Sequence, residues 1–413
     1  MDSNATSRRA AERWFEGVRL QTRRKSFDRK NGAKSPAPSK LFLAVETFRE
    51  VDALVVGAGP AGATAALNLA PTRTVALVDR ESRPRPRIGE SLPPAARRLL
   101  IDMGIWEAFQ SQGHSPCYGN RAVWGSTEPF ETDFMRDPDG HGWHIDRARF
   151  DMWIRQIALD RGATLLAPGR LNSIEWDGQC WRARVGTVEG VVDLIARVLI
   201  DAGGRASPVA RSLGARRKLG DKLVCSWVCG KARSSRRGAG FTYVEATEDG
   251  WWYSAPLPDG RRVLAFHTDS DLPVARSVAD PKRLLGHAAA NQELGAVLSE
   301  SGFSPEQSGF TAAHSAILQP LAGSAWFAAG DAACSFDPLS SQGLLNALFT
   351  GLAAAEAAGR YLSVEADNSH EYSQTVNQVY SVYQRHLSHW YRAETRWRGQ
   401  AFWQRRQATV GFA

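Results

Sequence analysis

The sequence predicts a mixed α/β (α+β) fold: a dinucleotide-binding Rossmann domain with an inserted antiparallel β-sheet and C-terminal helices. Three observations predict it. Leu54-Val55-Val56 runs directly into Gly57-x-Gly59-x-x-Gly62 and a small-residue helix. Buried apolar runs that end in an acid and a glycine turn return far downstream, at Asp201-Ala-Gly-Gly204-Arg205 and Trp326-Phe-Ala-Ala-Gly330-Asp331. Between them lie short runs with the alternation of antiparallel strands.

Each element of the first motif has a physical task. The three glycines allow a tight turn, close approach of a pyrophosphate and close helix–strand contact. Unpaired N–H groups at the start of the helix, Ala61 to Ala70, favour phosphate charge. A second strand, Thr74–Val78, ends in Asp79, an acid placed to hydrogen-bond a ribose hydroxyl. Beyond a stiff basic loop, Arg83 to Arg87, a helix is expected from about Pro94 to Gly104. Short strands follow at Arg121–Trp124 and Phe130–Phe134. An amphipathic helix then carries Phe150, Trp153, Ile154 and Ile157 on one face, with Gly162 at its end. Leu171–Trp176, Trp181–Val185 and Val191–Ala196 read as an antiparallel meander, followed by a separate buried strand ending at Asp201. Residues 222–268 are strand-rich, 280–300 helical, Phe310–Leu318 a strand, and 369–407 helical with many aromatics and arginines.

Composition sets outer bounds. The chain has 413 residues, 43% of them hydrophobic, enough for one large core or two modest ones. No apolar run reaches the roughly 18 residues of a membrane span. Arg8-Arg9 has no apolar stretch behind it, so a secretory signal is not expected and a cytoplasmic location is. Cys117, Cys180, Cys225, Cys229 and Cys334 show no paired spacing, and no metal site is expected. Residues 1–40 hold +7 of the formal charge of +8. The segment 1–49 therefore reads as a basic mobile extension, either simply solvated or touching an acidic partner. With bases confined to the two termini, nucleic acid is a poor fit.

The order GxGxxG, "DAGGRAS", "AAGDAACSFDPLSSQG" resembles the FAD-binding flavoprotein hydroxylases, over about residues 50–365. Within them it is similar to the branch holding flavin-dependent halogenases and prenyl reductases. The resemblance implies non-covalent FAD in a glutathione-reductase-type domain made from 50–115, 140–220 and 320–365. It also implies a β-sheet substrate domain from 116–139 and 221–319, leaving 366–413 as a helical segment. Gly57, Gly59, Gly62, Asp79, Asp201, Gly203, Gly330, Asp331, Pro338, Ser341, Gln342 and Gly343 are the expected cofactor residues. Helix-start N–H groups at the last of these would stabilise negative charge on a reduced flavin ring. "RIGESLPP" (Arg87–Pro94) matches a loop that passes the flavin, so Arg87, Glu90 and Ser91 are either flavin contacts or a helix cap. "GWWYSAPLP" (Gly250–Pro258) resembles an aromatic segment beside the flavin, which makes Trp251, Trp252 and Tyr253 the expected substrate pocket.

Departures separate the branch members. Tryptophan halogenases carry a lysine after the GES-type loop, whereas "CYGNRAVWGS" (Cys117–Ser126) has only Arg121, and Ser340 stands where those enzymes have Glu. Arginine does not give up its proton to act in place of that lysine. A prenyl reductase needs a long apolar channel, which the charges in 220–320 oppose. "DPLSSQGLLNAL", "GWWYSAPLPDGRRVLAF" and "YRAETRWRGQAFWQRR" look like flavoprotein maturases of amine oxidases and dehydrogenases whose quinone is built from their own tryptophan. The resemblance implies a FAD-dependent monooxygenase that hydroxylates a tryptophan of a precursor polypeptide through a flavin C4a-hydroperoxide. Its electrons come from NADPH or NADH, directly or through a separate flavin reductase. The alternatives are a halogenase, a small-molecule aromatic hydroxylase, a prenyl reductase, and a flavin-bound chaperone of a precursor. Glu90, His144 and Tyr253 are the candidate catalytic residues, with a structural role open for His144. Arg147 and Asp151 are expected to pair along their helix. The arginines and tryptophans of 390–406 form either a docking surface or a helical lid.

Overall fold

The computed structural model describes residues 50–134, 137–233, 240–364 and 366–408; the expected basic extension, 1–49, lies outside them. The chain begins with β1 (Glu50–Val56), turns into α1 (Pro60–Leu69) and returns as β2 (Val75–Val78). The two strands are parallel, with Val55 opposite Leu77, and their apolar runs are buried because helices cover the sheet. Gly57 adopts φ +103°, and a Cβ on Gly62 would sit 1.8 Å from the Gly57 carbonyl oxygen. That clash is backbone against backbone, so only glycine lets α1 approach β1 this closely. α2 (Arg147–Asp160) starts at Asp146, whose side chain accepts from Arg149 N, and packs beside α1.

β3 (Gly190–Asp201) corrects the expectation of two strands at this point. Its first half pairs antiparallel with Trp181–Thr187, and its second half runs parallel to β1. The burial pattern changes along it from alternating to continuous, as one strand passes from a two-sided ribbon into a helix-covered sheet.

The chain then builds a seven-stranded sheet. β4 (Leu223–Lys231), β5 (Phe241–Thr247), β6 (Gly250–Pro256), β7 (Arg261–Asp269) and β8 (Ser304–Ala312) stand in the order β8-β4-β7-β6-β5, completed by Gly119–Val123 and Phe130–Asp133. The expected strand Phe310–Leu318 is divided. β8 pairs with β4, while Ala316–Gln319 leaves to pair with Arg216–Leu219. Side chains of β6 alternate faces. Trp251, Tyr253 and Ala255 join one core with the C-terminal Tyr391, Phe402 and Trp403. Trp252 joins another, with Phe266 and the helical residues Val278, Leu284 and Leu294.

β9 (Trp326–Ala328) returns to the first sheet beside β3 and leads, through a loop, into α3 (Gly343–Val364), which packs along α1. α4 (Ser369–Ala393) and α5 (Ala401–Gln407) close the seven-stranded sheet. Trp403 Nε1 donates to the Thr247 carbonyl at 2.8 Å, and Trp124 Nε1 to that of Trp390 at 2.8 Å. Arg406, buried, meets both carboxylate oxygens of buried Asp269, at 2.7 and 3.1 Å, and Arg405 bonds Asp269 and Asp271. Arg406 thereby ties α5 to the seven-stranded sheet, while Arg405, Arg392 and Arg398 remain exposed. Among the described residues no helix is long and apolar enough to cross a membrane, no metal-ligating cluster occurs, and the five cysteines are unpaired.

Candidate active site

A cavity of about 910 Å³ lies between the two sheets. Its nucleotide end is built by the β1–α1 turn, Asp79, the Arg87–Ser91 loop, Gly203 to Ala206, and the start of α3. Gly57, Gly59, Asp79, Arg87, Glu90, Ser91, Gly203, Asp331, Pro338, Ser341 and Gly343 all lie on its wall. Two long helices, α1 and α3, begin there, so two sets of orphan N–H groups face one space.

Asp79 accepts from Ala58 N at 2.6 Å and Glu81 N at 2.8 Å, and Arg155 lies 3.5 Å away. A carboxylate has about four acceptor sites, so capacity for a ribose hydroxyl remains. Arg155 is itself buried and donates to the Ala58, Glu81 and Ser82 carbonyls, tying α2 to the turn. Arg147 bonds Asp151 at 3.3 Å, as its helical spacing predicts, and also the Ile88 and Gly89 carbonyls at 3.2 Å. It thereby holds the loop that carries Glu90. Ser91 and Leu92 pair with Gly142–His144 as a short strand, so Glu90 and Ser91 do not cap a helix.

Several expected site residues stand elsewhere. Asp201 is off the cavity wall: its carboxylate accepts from Gly203 N, Val209 N and Ala210 N, which fixes the turn after β3. Gly62 and Gly330 act through packing, an added Cβ on Gly330 meeting Ala61 Cβ at 2.6 Å. Gln342 is also off the wall; its side chain and carbonyl accept from Asn346 Nδ2. His144 is off the wall and buried, with Nε2 3.0 Å from Thr242 Oγ1 and Nδ1 without a partner among the described residues; burial pushes its pKa down to about 3. Of the three expected pocket aromatics only Tyr253 borders the cavity. Trp252 points to the opposite face of the sheet, and Trp251 lies fully buried behind the wall.

The far end of the cavity is lined by Glu90, Cys225, Trp227, Tyr253, His267 and Phe310. Tyr253 Oη donates to Glu90 Oε2 at 3.5 Å. Burial raises the Glu90 pKa to about 7, against smaller opposing effects of backbone N–H groups and Arg147. A carboxyl group poised there exchanges protons near neutral pH. No lysine occurs among the lining residues; Arg121 pairs with Glu131 and Glu293 instead, away from the cavity. His267 and Arg155 escaped sequence reasoning. The three-residue loop Pro258-Asp259-Gly260 between β6 and β7 fixes the register that puts Trp251 opposite His267. Arg155 has none, because its partners lie 73 or more residues away.

The wall suits FAD on its own geometry. An added Cβ at Gly59 or Gly343 would meet no protein atom within 4 Å, so both glycines leave open room where the helix starts converge. Fold and site define an FAD-dependent enzyme, an oxidoreductase by class. The chain belongs to the FAD binding domain family, whose model matches residues 50–356. It is 29% identical to LodB of Marinomonas mediterranea, named as a FAD-dependent oxidoreductase, over 364 residues that cover 86% of this chain and 97% of that one. Among solved structures, the flavin-dependent halogenase CmlS matches with a TM-score of 0.79 and 26% identity, over 87% of this chain and 68% of that chain. QhpG, described as a peptidyl tryptophan dihydroxylase essential for tryptophylquinone cofactor biogenesis, matches with a TM-score of 0.65 and 24% identity. That alignment covers 88% of this chain and 80% of QhpG, and the likeness is one of fold.

Proposed function

We propose that the protein is a FAD-dependent monooxygenase that hydroxylates a tryptophan side chain of a partner polypeptide, in the making of a protein-derived quinone cofactor. The observation that carries this reading is the far wall of the cavity: aromatic side chains and a near-neutral carboxyl group, Glu90, with no lysine among the lining residues. Such a wall suits placing an electron-rich ring and taking up a proton, and it offers no amine to engage hypohalous acid. The fold shared with QhpG supports the same reading.

Bound FAD would supply oxygen activation, using two electrons from NADPH or NADH, delivered directly or by a separate reductase. The protein does the rest. N–H groups of the β1–α1 turn and of α1 hold the pyrophosphate, and Asp79 holds the ribose. Pro338, Ser341 and Gly343 present the start of α3 to the ring system. Glu90 Oε2, fixed by Tyr253 and by the loop that Arg147 holds, accepts the proton that leaves the ring carbon when a C–O bond replaces the C–H bond. The second oxygen atom leaves as water.

The test is mass spectrometry of a tryptophan-bearing precursor peptide incubated with the FAD-loaded protein, oxygen, halide and NADPH or NADH, with and without a flavin reductase. Gain of oxygen on tryptophan is expected. Halide-dependent chlorination without oxygen gain would replace this reading with a halogenase.

A further inference from the structure

The two edges of the seven-stranded sheet are finished differently. One is the strand Phe130–Asp133, four residues long and carrying Glu131 and Asp133. A short, charged edge discourages a further strand. The other edge is β8, nine residues long, with every residue exposed except the half-buried Gly309. Its first part is blunted. Pro305 has no N–H to offer, and a bulge opposite Cys229 and Gly230 leaves Glu306 outside the register, 3.3 Å from Lys231. From Gln307 to Ala312 there is no proline, no charge and no bulge, and among the described residues no strand lies on the outer side. Alternate N–H and C=O groups of this half stand unpaired at the edge.

The unguarded half is also a rim of the cavity. Gly309 to Ala313 lie on the cavity wall, and Gly309 and Thr311 stand opposite Trp227 and Cys225, which line it from β4. A Cβ on Gly309 would come within 2.6 Å of the Trp227 indole. Glycine therefore lets that ring lie across the edge strand, an apolar shelf between the open edge and the interior. The sheet order β8-β4-β7-β6 leads from there to Tyr253, which bonds Glu90.

We propose that β8, over Gln307 to Ala312, is the docking edge for the substrate polypeptide, which adds an extended strand there and turns one side chain into the cavity. The inference rests on the reading that the substrate is a polypeptide. Main-chain hydrogen bonds to an edge hold a backbone whatever its sequence, and alternation puts every second side chain on the cavity face. Affinity then lies in the edge, and the choice of residue in the cavity.

The test is hydrogen–deuterium exchange of the FAD-loaded full chain, with and without a synthetic peptide of roughly ten residues, the length of a strand, alternating threonine and serine about a central tryptophan. A second peptide has alanine at the centre. Two more are N-methylated, one on its odd and one on its even residues. The tryptophan peptide is expected to slow exchange of the 307–312 amides by roughly tenfold or more. One methylated set should weaken binding by about tenfold and the other by less than about threefold, because a strand pairs along one side only. Gln307 and Ser308 are off the cavity wall and adjacent, so proline at one of them removes only an outward N–H. Of Q307P and S308P, the variant that melts like wild type should lose the peptide; should both unfold, the methylated peptides decide. Equal protection by the tryptophan and alanine peptides upholds the edge and removes tryptophan as what the cavity selects. Binding of none of the peptides, protection outside β8, or equal tolerance of both methylated sets overturns the proposal. So does slow exchange of 307–312 in the protein alone, which would mean that a second copy or another part of this chain already covers the edge. Oxygenation of the tryptophan peptide by the same preparation tests the tryptophan reading separately.

Discussion

The two ends of the cavity are made in different ways. At the nucleotide end, turns of a few residues bring unpaired backbone N–H groups and one acid, Asp79, to the wall. At the far end, single side chains from β4, β6, β7, β8 and the Glu90 loop meet across the seven-stranded sheet. The first end is a rigid holder for a large cofactor. The second is an aromatic wall around one buried carboxyl group, Glu90.

This contrast can be broken at several points, starting with the largest effect. Asp269→Ala would leave Arg406 buried without its carboxylate, and the loss of stability should be about 3–5 kcal/mol in a denaturant melt. An equally large loss of flavin affinity in the same variant, measured separately, would show that the two ends are not independent. A second test uses pH. The Glu90 pKa in the folded protein, about 7, lies above its ordinary value of 4.5, so its stabilising contribution is complete below about pH 4.5 and fades as pH rises through about 7. Glu90→Gln removes that slope. Without cofactor, the variant should match wild type in mild acid and exceed it by up to about 3 kcal/mol above neutrality. Its oxygenation rate should lose the rise through neutral pH that an ionising base confers.

Glycine substitutions sharpen the picture of the nucleotide end. Gly62→Ala forces Cβ against the Gly57 carbonyl and should destabilise the apoprotein by roughly 1–3 kcal/mol, with loss of yellow colour. Gly59→Ala meets no protein atom, so its melting temperature should stay near wild type while FAD retention on gel filtration falls. The smallest effect belongs to Tyr253→Phe. Its bond to Glu90 is long, and removing it should change kcat by less than about threefold while moving the pH midpoint slightly upward.

What was legible in the sequence follows the same division. That Gly57, Gly59, Asp79, Pro338, Ser341 and Gly343 share one wall was legible because their positions are set by neighbours within one turn or one strand. Asp201 shows the limit even there: an acid at a strand tip looks like a ligand-binding group, but the following helix turns back and its own N–H groups take the carboxylate. In "GWWYSAPLP" the residue types were informative and their directions were not used. Alternation alone sends Trp252 to the opposite face from Tyr253, and the register of the Pro258-Asp259-Gly260 loop brings His267 beside Trp251. Nothing in the sequence shows that Thr242 lies beside His144. Tertiary pairing, rather than local pattern, decided each of these.

Tyr391 has a practical consequence. One phenol group joins the acid before the α3 loop to the indole behind His267, and it sits near the end of α4, where α5 folds back over it. Proteolytic nicking between residues 394 and 400 would thus loosen Trp251 and Asp337 together, and the intact tail becomes a quality mark for every preparation.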